Sequence, residues 1–311
     1  MTFASLNFLF LFFPVFLAFY FIYPGRVYRN YILFIFSLVF YAWGEPFYVF
    51  VMVFSLLLNY WTALWMDGHG VNRKFVLIVG VTVNLLLLGI FKYLDFLIGN
   101  MNAFLGTHVP LSAIPLPIGV SFYTFQLVSY IVDVYRQKSH AQKSFVFLGA
   151  YLAGFPQLVA GPIVRYQAIA DELVHRHENR VDFTEGTRRF IVGLAKKVII
   201  ANHMGFVVDA LLKEVPQNYG MIGAWVVLLA YALQIYYDFS AYSDMAIGMG
   251  RMLGFHYLEN FNYPYIARTV TDFWRRWHMS LTTFFRDYVY IPLGGSRGTL
   301  GLWLRNILVI W

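Results

Sequence analysis

The segment "TDFWRRWHMSLTTFFRDYVYIPLGG" (271–295) places Arg275, Arg276, His278, Arg286 and Asp287 in one stretch of a chain that is otherwise almost hydrocarbon. An imidazole titrates near neutral pH and accepts a proton from an attacking hydroxyl. Guanidinium groups bind anions. Two readings are open. The segment is a solvated face whose arginines snorkel to phosphate headgroups, or it is the wall of a reaction site. His278 lies between Trp277 and Met279, one turn from Trp274 and Leu281, and is either a packed, hydrogen-bonded residue or a general base.

The pattern "TVTD" (269–272) fits a capping box and predicts a helix starting near Thr271, ended by Pro292 and Gly294–Gly295. On one continuous helix Asp272 and Arg276 pair at i,i+4. His278, Thr282, Phe285 and Val289 then share one face, with Arg275, Met279, Thr282 and Arg286 in an adjacent stripe. Each such charge costs about 2.5–3.5 kcal/mol at the centre of a lipid-facing helix on insertion scales. The segment is therefore expected at the interface or lining a cavity.

A second polar cluster occupies "LQIYYDFSAYSDMAIGMG" (233–250). Gln234, Asp238 and Tyr242 follow at i, i+4 and i+8; Ser240 and Asp244 are four apart, with Ser243 adjacent. Two acids on an apolar helix must find donors in protein or in a wet cavity. They form a network tying helices together, with Gly248 and Gly250 allowing close packing, or a proton relay. No third ligand accompanies them, so no metal is expected, and the pair His175 and His177 has no supporting donor. His69, His140, His175 and His177 are expected in solvated loops, and His203 at an interface after Lys196 and Lys197. Glu45 and Asp133 read as structural. No phosphate-cradling glycine loop and no G-x-S-x-G nucleophile elbow occurs.

These groups need elements to hold them. Of 311 residues, 59% are hydrophobic, 20% aromatic and 13% charged, against about 25% charged in soluble domains. The mean hydropathy is +0.60. This composition predicts an all-α, multi-spanning membrane protein. The net charge of +7 reads as loop charge that sets orientation, not as a nucleic-acid surface. The absence of cysteine excludes disulfides and thiolate chemistry. No basic residue precedes the first apolar run, so residues 3–23 are expected to be a retained span and not a signal peptide.

Apolar runs long enough for spans, about 20 residues each, are 3–23, 30–43 with 47–66, 75–98, 118–135, 145–165, 187–212, 221–250 and a run beginning near 301. "WGEP" (43–46) reads as a tight turn. "GFPQLVAGPIV" breaks 145–165 and predicts a re-entrant segment, because irregular backbone survives at membrane depth only under protein or against water. Basic residues in 24–30, 67–74 and 136–143 put these loops on the cytoplasmic side and the N-terminus outside. The mixed charges of 165–189 would join the cytoplasmic loops. No repeat or linker interrupts the chain, so 1–311 is read as a single domain. It stops at "NILVIW", an apolar run short of a span, and is expected to be incomplete at its C-terminus.

"FWRRWHMSLTTFFRDYVYIPLGG" (273–295) resembles the signature of the membrane-bound O-acyltransferases. "YYDFSAYSDMAIGMGRMLGF" (236–255), "FNYPYIARTVTDFW" (261–274), "FYAWGEP" (40–46), "PIGVSFYTFQLVSYIVDVYR" (117–136) and "GFPQLVAGPIVRY" (154–166) are similar to it as well. The "YIPLGG" ending resembles the bacterial alginate O-acetyltransferase branch; the D-alanyl-transfer branch is similar around "RWHMS". The resemblance implies helices and re-entrant segments around a central tunnel, in a bacterial inner membrane. It implies acetyl transfer to hydroxyls of an exported polysaccharide, with acetyl-CoA or another acyl thioester as donor and periplasmic acetyltransferase partners. No bound cofactor is implied. The tunnel would be lined by Asp238, Tyr242, Asp244, Arg275, Arg276, Trp277 and Thr282. His278 matches the first of two family histidines. The second, the better candidate for the base, is expected beyond Trp311, so the 311-residue chain is expected to be inactive alone. Transfer of D-alanyl or another acyl group to an envelope polymer, a transporter with broken helices and buried acids, and a non-catalytic scaffold are the competing readings.

Overall fold

Helices occupy the apolar runs and stop at the charged or Gly/Pro-rich stretches between them. The structure, a computed structural model, describes residues 1–68, 70–158, 161–213 and 220–310; the loop expected at His69 lies outside these residues. A π turn, Phe8–Phe12, leads into α1 (Phe13–Ile22). Then come α2 (Arg26–Gly44), α3 (Tyr48–Asp67), α4 (Arg73–Leu105), α5 (Val120–Tyr135), α6 (Phe145–Leu152), α7 (Phe155–Leu158) and α8 (Tyr166–His175). The helix α9 (Arg180–Ala195) runs through a π segment, Lys196–Ala201, into α10 (Asn202–Lys213). After α11 (Gly220–Met252) follow α12 (Val270–Trp274), α13 (Met279–Phe285), a π segment Arg286–Tyr290, and α14 (Leu300–Ile310). No strand occurs among the described residues.

Side chains cap several starts. Asn72 accepts from Phe75 N–H at 3.2 Å at the start of α4, and Asn179 accepts from Asp182 N–H at 2.8 Å at the start of α9. The "WGEP" turn falls as expected between α2 and α3.

Among the described residues, four helical stretches are long and apolar enough to cross a membrane: Tyr48–Asp67, Arg73–Leu105, Arg180–Lys213 and Gly220–Met252. The stretches Phe8–Ile22 and Val120–Tyr135, also expected as spans, are shorter than the usual length of about 20 residues. Large apolar side chains point away from the protein on these helices, with Phe10 and Ile222 77% exposed and Phe104 89% exposed. Such a surface is matched to hydrocarbon. The core is aromatic: Phe8, Phe12, Phe16, Phe40 and Phe155 meet ring against ring.

Inside this apolar surface some buried polar side chains pair with one another across helices. Asn59 of α3 and Asn84 of α4 exchange amide hydrogen bonds at 3.0 and 2.9 Å, both fully buried. Interhelical bonds of this kind contribute roughly 0.6–2 kcal/mol in membranes. Asn84→Leu alone is expected to lower the melting temperature in detergent, because it strands half of the Asn59 amide. Asn59→Leu with Asn84→Leu should recover most of the loss, and a double variant no better than the single would sink the pairing argument.

The broken stretch 154–164 is buried wherever it is described. Its irregular backbone is held by side chains: Phe155 N–H donates to Ser37 Oγ at 3.0 Å, and Tyr151 donates to Val164 O at 2.9 Å. A Cβ on Gly161 would come within 2.6 Å of Gln157 Cα, so only glycine fits that turn.

A cluster of ion pairs ties the start of α2 to the segment between α8 and α9. Glu178 accepts from Arg26 at 2.9 Å, pairs with Arg29, and lies 3.4 Å from Arg176 Nε. Arg176 is 3% exposed, stacks over Phe255 at 4.4 Å, and donates to Asn30 Oδ1 at 2.7 Å. The loops 24–30 and 176–179 therefore share a face, which the mixed charges of 165–189 did not determine. Burial pushes the Glu178 carboxyl upward, but the Arg26 hydrogen bond and the Arg176 and Arg29 charges hold it below its ordinary value of 4.5. Since the folded value is the lower one, this stabilisation is complete above about pH 4.5 and is lost as pH falls through the folded value. Glu178→Gln leaves three guanidinium groups facing one another and is expected to cost about 3–5 kcal/mol. It should lower the detergent melting temperature by roughly 10 °C and remove part of the acid limb of the stability profile.

Candidate active site

The helix expected over 271–292 is two helices, and His278 sits at the break. Thr269 caps α12 as the capping box predicts, accepting from Asp272 N–H at 3.0 Å, and Asp272 pairs with Arg276 at 2.9 Å. After Trp274 the chain turns against the loop that follows α11. Asn262 N–H donates to Arg276 O at 2.9 Å, and Met279 N–H donates to Asn260 O at 3.0 Å. Pinned on both sides, His278 takes left-handed backbone angles, φ 43° and ψ 54°, and α13 starts after it. For a residue with a Cβ this costs of order 1–3 kcal/mol and persists only where surrounding contacts enforce it. The face expected to unite His278, Thr282, Phe285 and Val289 is consequently absent as a continuous helical stripe, and so is the Arg275–Met279 step of its neighbour. Tertiary backbone pairing overrides the local helical pattern.

The His278 ring is 6% exposed and packs edge-on to Phe239 at 4.7 Å, with Phe122 at 6.2 Å. Its Nδ1 lies 3.1 Å from Asn260 Oδ1. The same oxygen accepts from Ser280 N–H at 3.2 Å and from Ser280 Oγ at 2.9 Å, and Ser280 Oγ accepts from Ile163 N–H at 3.0 Å. Nε2 has no hydrogen-bond partner among the described residues.

Two cavities border Met279, the residue after this histidine, while His278 itself lines neither. The first, about 510 Å³, is walled by α9 and α11 through Arg189, Lys196, Ser240, Ser243 and Asp244, with Tyr236, Phe261 and Tyr263. The second, about 430 Å³, is mostly apolar and is walled by Pro162, Ile163, Val164, Arg165, Tyr257, Ser280 and Thr283. Glu259 and Met279 border both. His278 is the residue before Met279 and one behind the Ser280 hydroxyl.

The first cavity is charge-balanced. Asp244 accepts from Arg189 at 2.9 Å and from Lys196 at 2.7 Å, while Glu259 takes the far side of the Arg189 guanidinium. The hydroxyls of Ser240 and Ser243 are buried without partners among the described residues. At the far end of the second cavity Arg165 donates to Asp287 at 2.7 Å and to Thr283 O at 3.1 Å.

The residues expected to line a tunnel are distributed unevenly. Asp244 lines the first cavity. Asp238 faces outward to Lys197 at 2.6 Å. Tyr242 stacks on Phe3 at 4.4 Å, away from both cavities. Trp277 packs against Phe261 and Phe273, behind the first cavity. Arg276 is held by Asp272 and Asn262 O; Arg275 is exposed. Thr282 borders a separate groove of about 500 Å³ with Trp274, Arg286 and Trp303. The guanidinium groups that reach the cavities are Arg189 and Arg165, neither singled out by sequence. Arg189 stood where the charged segment 165–189 overlapped the apolar run 187–212, whereas α9 begins two turns earlier, at Arg180. Asn260 carried no signal at all.

The membrane-bound O-acyltransferase family matches residues 35–309 of the chain. A probable alginate O-acetylase of Pseudomonas aeruginosa is 44% identical over 99% of the chain and 60% of its own length. A peptidoglycan O-acetyltransferase of Helicobacter pylori is 33% identical over 88% of the chain and 58% of its own length. A teichoic acid D-alanyltransferase of Bacillus subtilis is 27% identical over 82% of the chain and 65% of its own length. The chain thus spans about 60% of the alginate O-acetylases it matches. It belongs to the membrane-bound O-acyltransferase family.

Proposed function

We propose that this membrane-bound O-acyltransferase transfers acetyl groups from an acyl thioester, acetyl-CoA or a relative of it, toward hydroxyls of an exported, alginate-like polysaccharide. The observation that carries the reading is the buried His278, held in strained backbone next to Met279, which borders both a polar and an apolar cavity. Strain of this kind is retained where function requires it.

The acceptor oxygen attacks the acetyl carbonyl carbon, the carbon–sulfur bond breaks, and the proton leaving the hydroxyl ends on the departing thiolate. His278 accepts the hydrogen bond of the acceptor hydroxyl or orients the acetyl group. Polar donors near Met279 stabilise the developing oxyanion. The two cavities are read as halves of one passage, and 154–165 as its re-entrant wall. The basic loops then lie in the cytoplasm of a bacterial inner membrane, the N-terminus lies in the periplasm, and periplasmic acetyltransferases receive or complete the transfer. Support comes from the 44% identity to an alginate O-acetylase and from the ion pairing of residues 26–29 with Glu178.

Membranes carrying the protein at its full length, given radiolabelled acetyl thioester and deacetylated polymannuronate, are expected to place alkali-labile label in the polymer. Label moved across the membrane without ester formation would favour transport. Transfer of D-alanyl in place of acetyl would reassign the substrate to the teichoic acid branch.

A further inference from the structure

We infer that Asn260 is a positioning residue that holds the neutral His278 ring with its proton on Nδ1, so that Nε2 is presented as the hydrogen-bond acceptor. The consequence for catalysis rests on the proposed role of His278; the tautomer itself does not.

The inference begins with the identity of one atom. An asparagine amide has an oxygen and a nitrogen that exchange places on a flip. Here the backbone N–H of Ser280, which can only donate, faces the same atom as His278 Nδ1, at 3.2 Å. That atom is therefore the oxygen. The Ser280 hydroxyl accepts from Ile163 N–H at 3.0 Å, and its own hydrogen goes to the nearer acceptor, Asn260 Oδ1 at 2.9 Å. Its approach to His278 Nδ1 is only 3.5 Å, at the weak limit of a hydrogen bond. With an acceptor 3.1 Å away and no donor aimed at it, Nδ1 must carry the proton. An unprotonated Nδ1 would oppose two lone pairs in a buried site. Neutral imidazole in water favours the opposite tautomer, so the protein selects this one.

Asn260 acts on the backbone as well. Its carbonyl takes the Met279 N–H at 3.0 Å, which fixes the peptide just after His278. The side chain is 0% exposed, so water does not replace it. The chain Ile163, Ser280, Asn260, His278 also ties the ring to the wall of the apolar cavity, since Ile163 and Ser280 line it.

The test uses the purified protein labelled with ¹⁵N-histidine, the His278 resonances being those lost in His278→Asn. The expected spectrum has Nδ1 protonated and Nε2 bare. Asn260→Leu should move the proton to Nε2 or mix the two forms. Asn260→Asp, which keeps an acceptor, should retain the native form. In acetyl transfer Asn260→Leu is expected to lower kcat by roughly 10²- to 10⁴-fold with little change in the KM for acceptor, and Asn260→Asp should recover a large part of it. A bare Nδ1 in the unsubstituted protein overturns the inference, as does an unchanged tautomer in Asn260→Leu. If the tautomer is as inferred but His278→Asn transfers acetyl normally, the positioning stands and the proposed use of His278 falls.

Discussion

His278→Asn is expected to reduce acetyl transfer by at least about 10²-fold, the lower end of what a positioned general base or proton acceptor contributes, while the protein still accumulates in the membrane. Asparagine is the informative replacement. It tolerates left-handed backbone better than any other residue with a Cβ except aspartate, so the strain at φ 43° is not traded for misfolding. It also keeps a short polar group toward Asn260. Alanine would instead leave Asn260 Oδ1 without a partner on this side and fit the left-handed backbone less well, confounding chemistry with folding. If His278 acts only as the proton moves, kcat and kcat/KM should fall together; if it only positions the acceptor in the ground state, KM should rise with kcat largely kept. Normal acetylation at normal protein level would remove His278 from the mechanism.

Much of the architecture was legible because long apolar runs leave few alternatives. The capping box at Thr269 and the Asp272–Arg276 pair were legible because both are local, within four residues. The break at His278 was not. It is imposed by backbone bonds to residues 260–262, and no local pattern in 271–292 encodes a partner on another loop. For the same reason Asn260, 18 residues upstream of His278, stayed invisible. The acids of α11 were visible as groups that needed donors. Which donors they found was not, because Arg189 and Lys196 approach from a separate helix. Thr282 was placed on the face of His278, and Arg275 on the adjacent stripe, by helical arithmetic that ceases to apply once the helix divides.

The crossing of α9 and α11 gives the second large effect. The backbones touch: a Cβ on Gly248 would lie 2.6 Å from Gly186 O and 2.7 Å from Phe190 N, and one on Gly193 would lie 2.8 Å from Ala241 O. Gly250, also expected to serve close packing, meets the ring of Tyr257 and not a helix. Backbone atoms cannot rotate aside as a side chain does, so any Cβ at 248 must push the helices apart. Small residues at such crossings are what lets membrane helices associate without a hydrophobic drive. Separation would also stretch the Arg189–Asp244 and Lys196–Asp244 pairs that wall the polar cavity. Gly248→Ala is therefore expected to cost about 1–3 kcal/mol, and Gly248→Leu to prevent recovery of a monodisperse protein in detergent. Gly99→Ala on α4 is the control. Nothing lies within 4 Å of its Cβ, and alanine there should be neutral or stabilise by up to about 1 kcal/mol. Melting followed by size-exclusion chromatography compares the three. Equal stability of Gly248→Ala and Gly99→Ala would mean that the helices do not touch as described, and with that contact gone the cavity beside His278 would lose one of its walls.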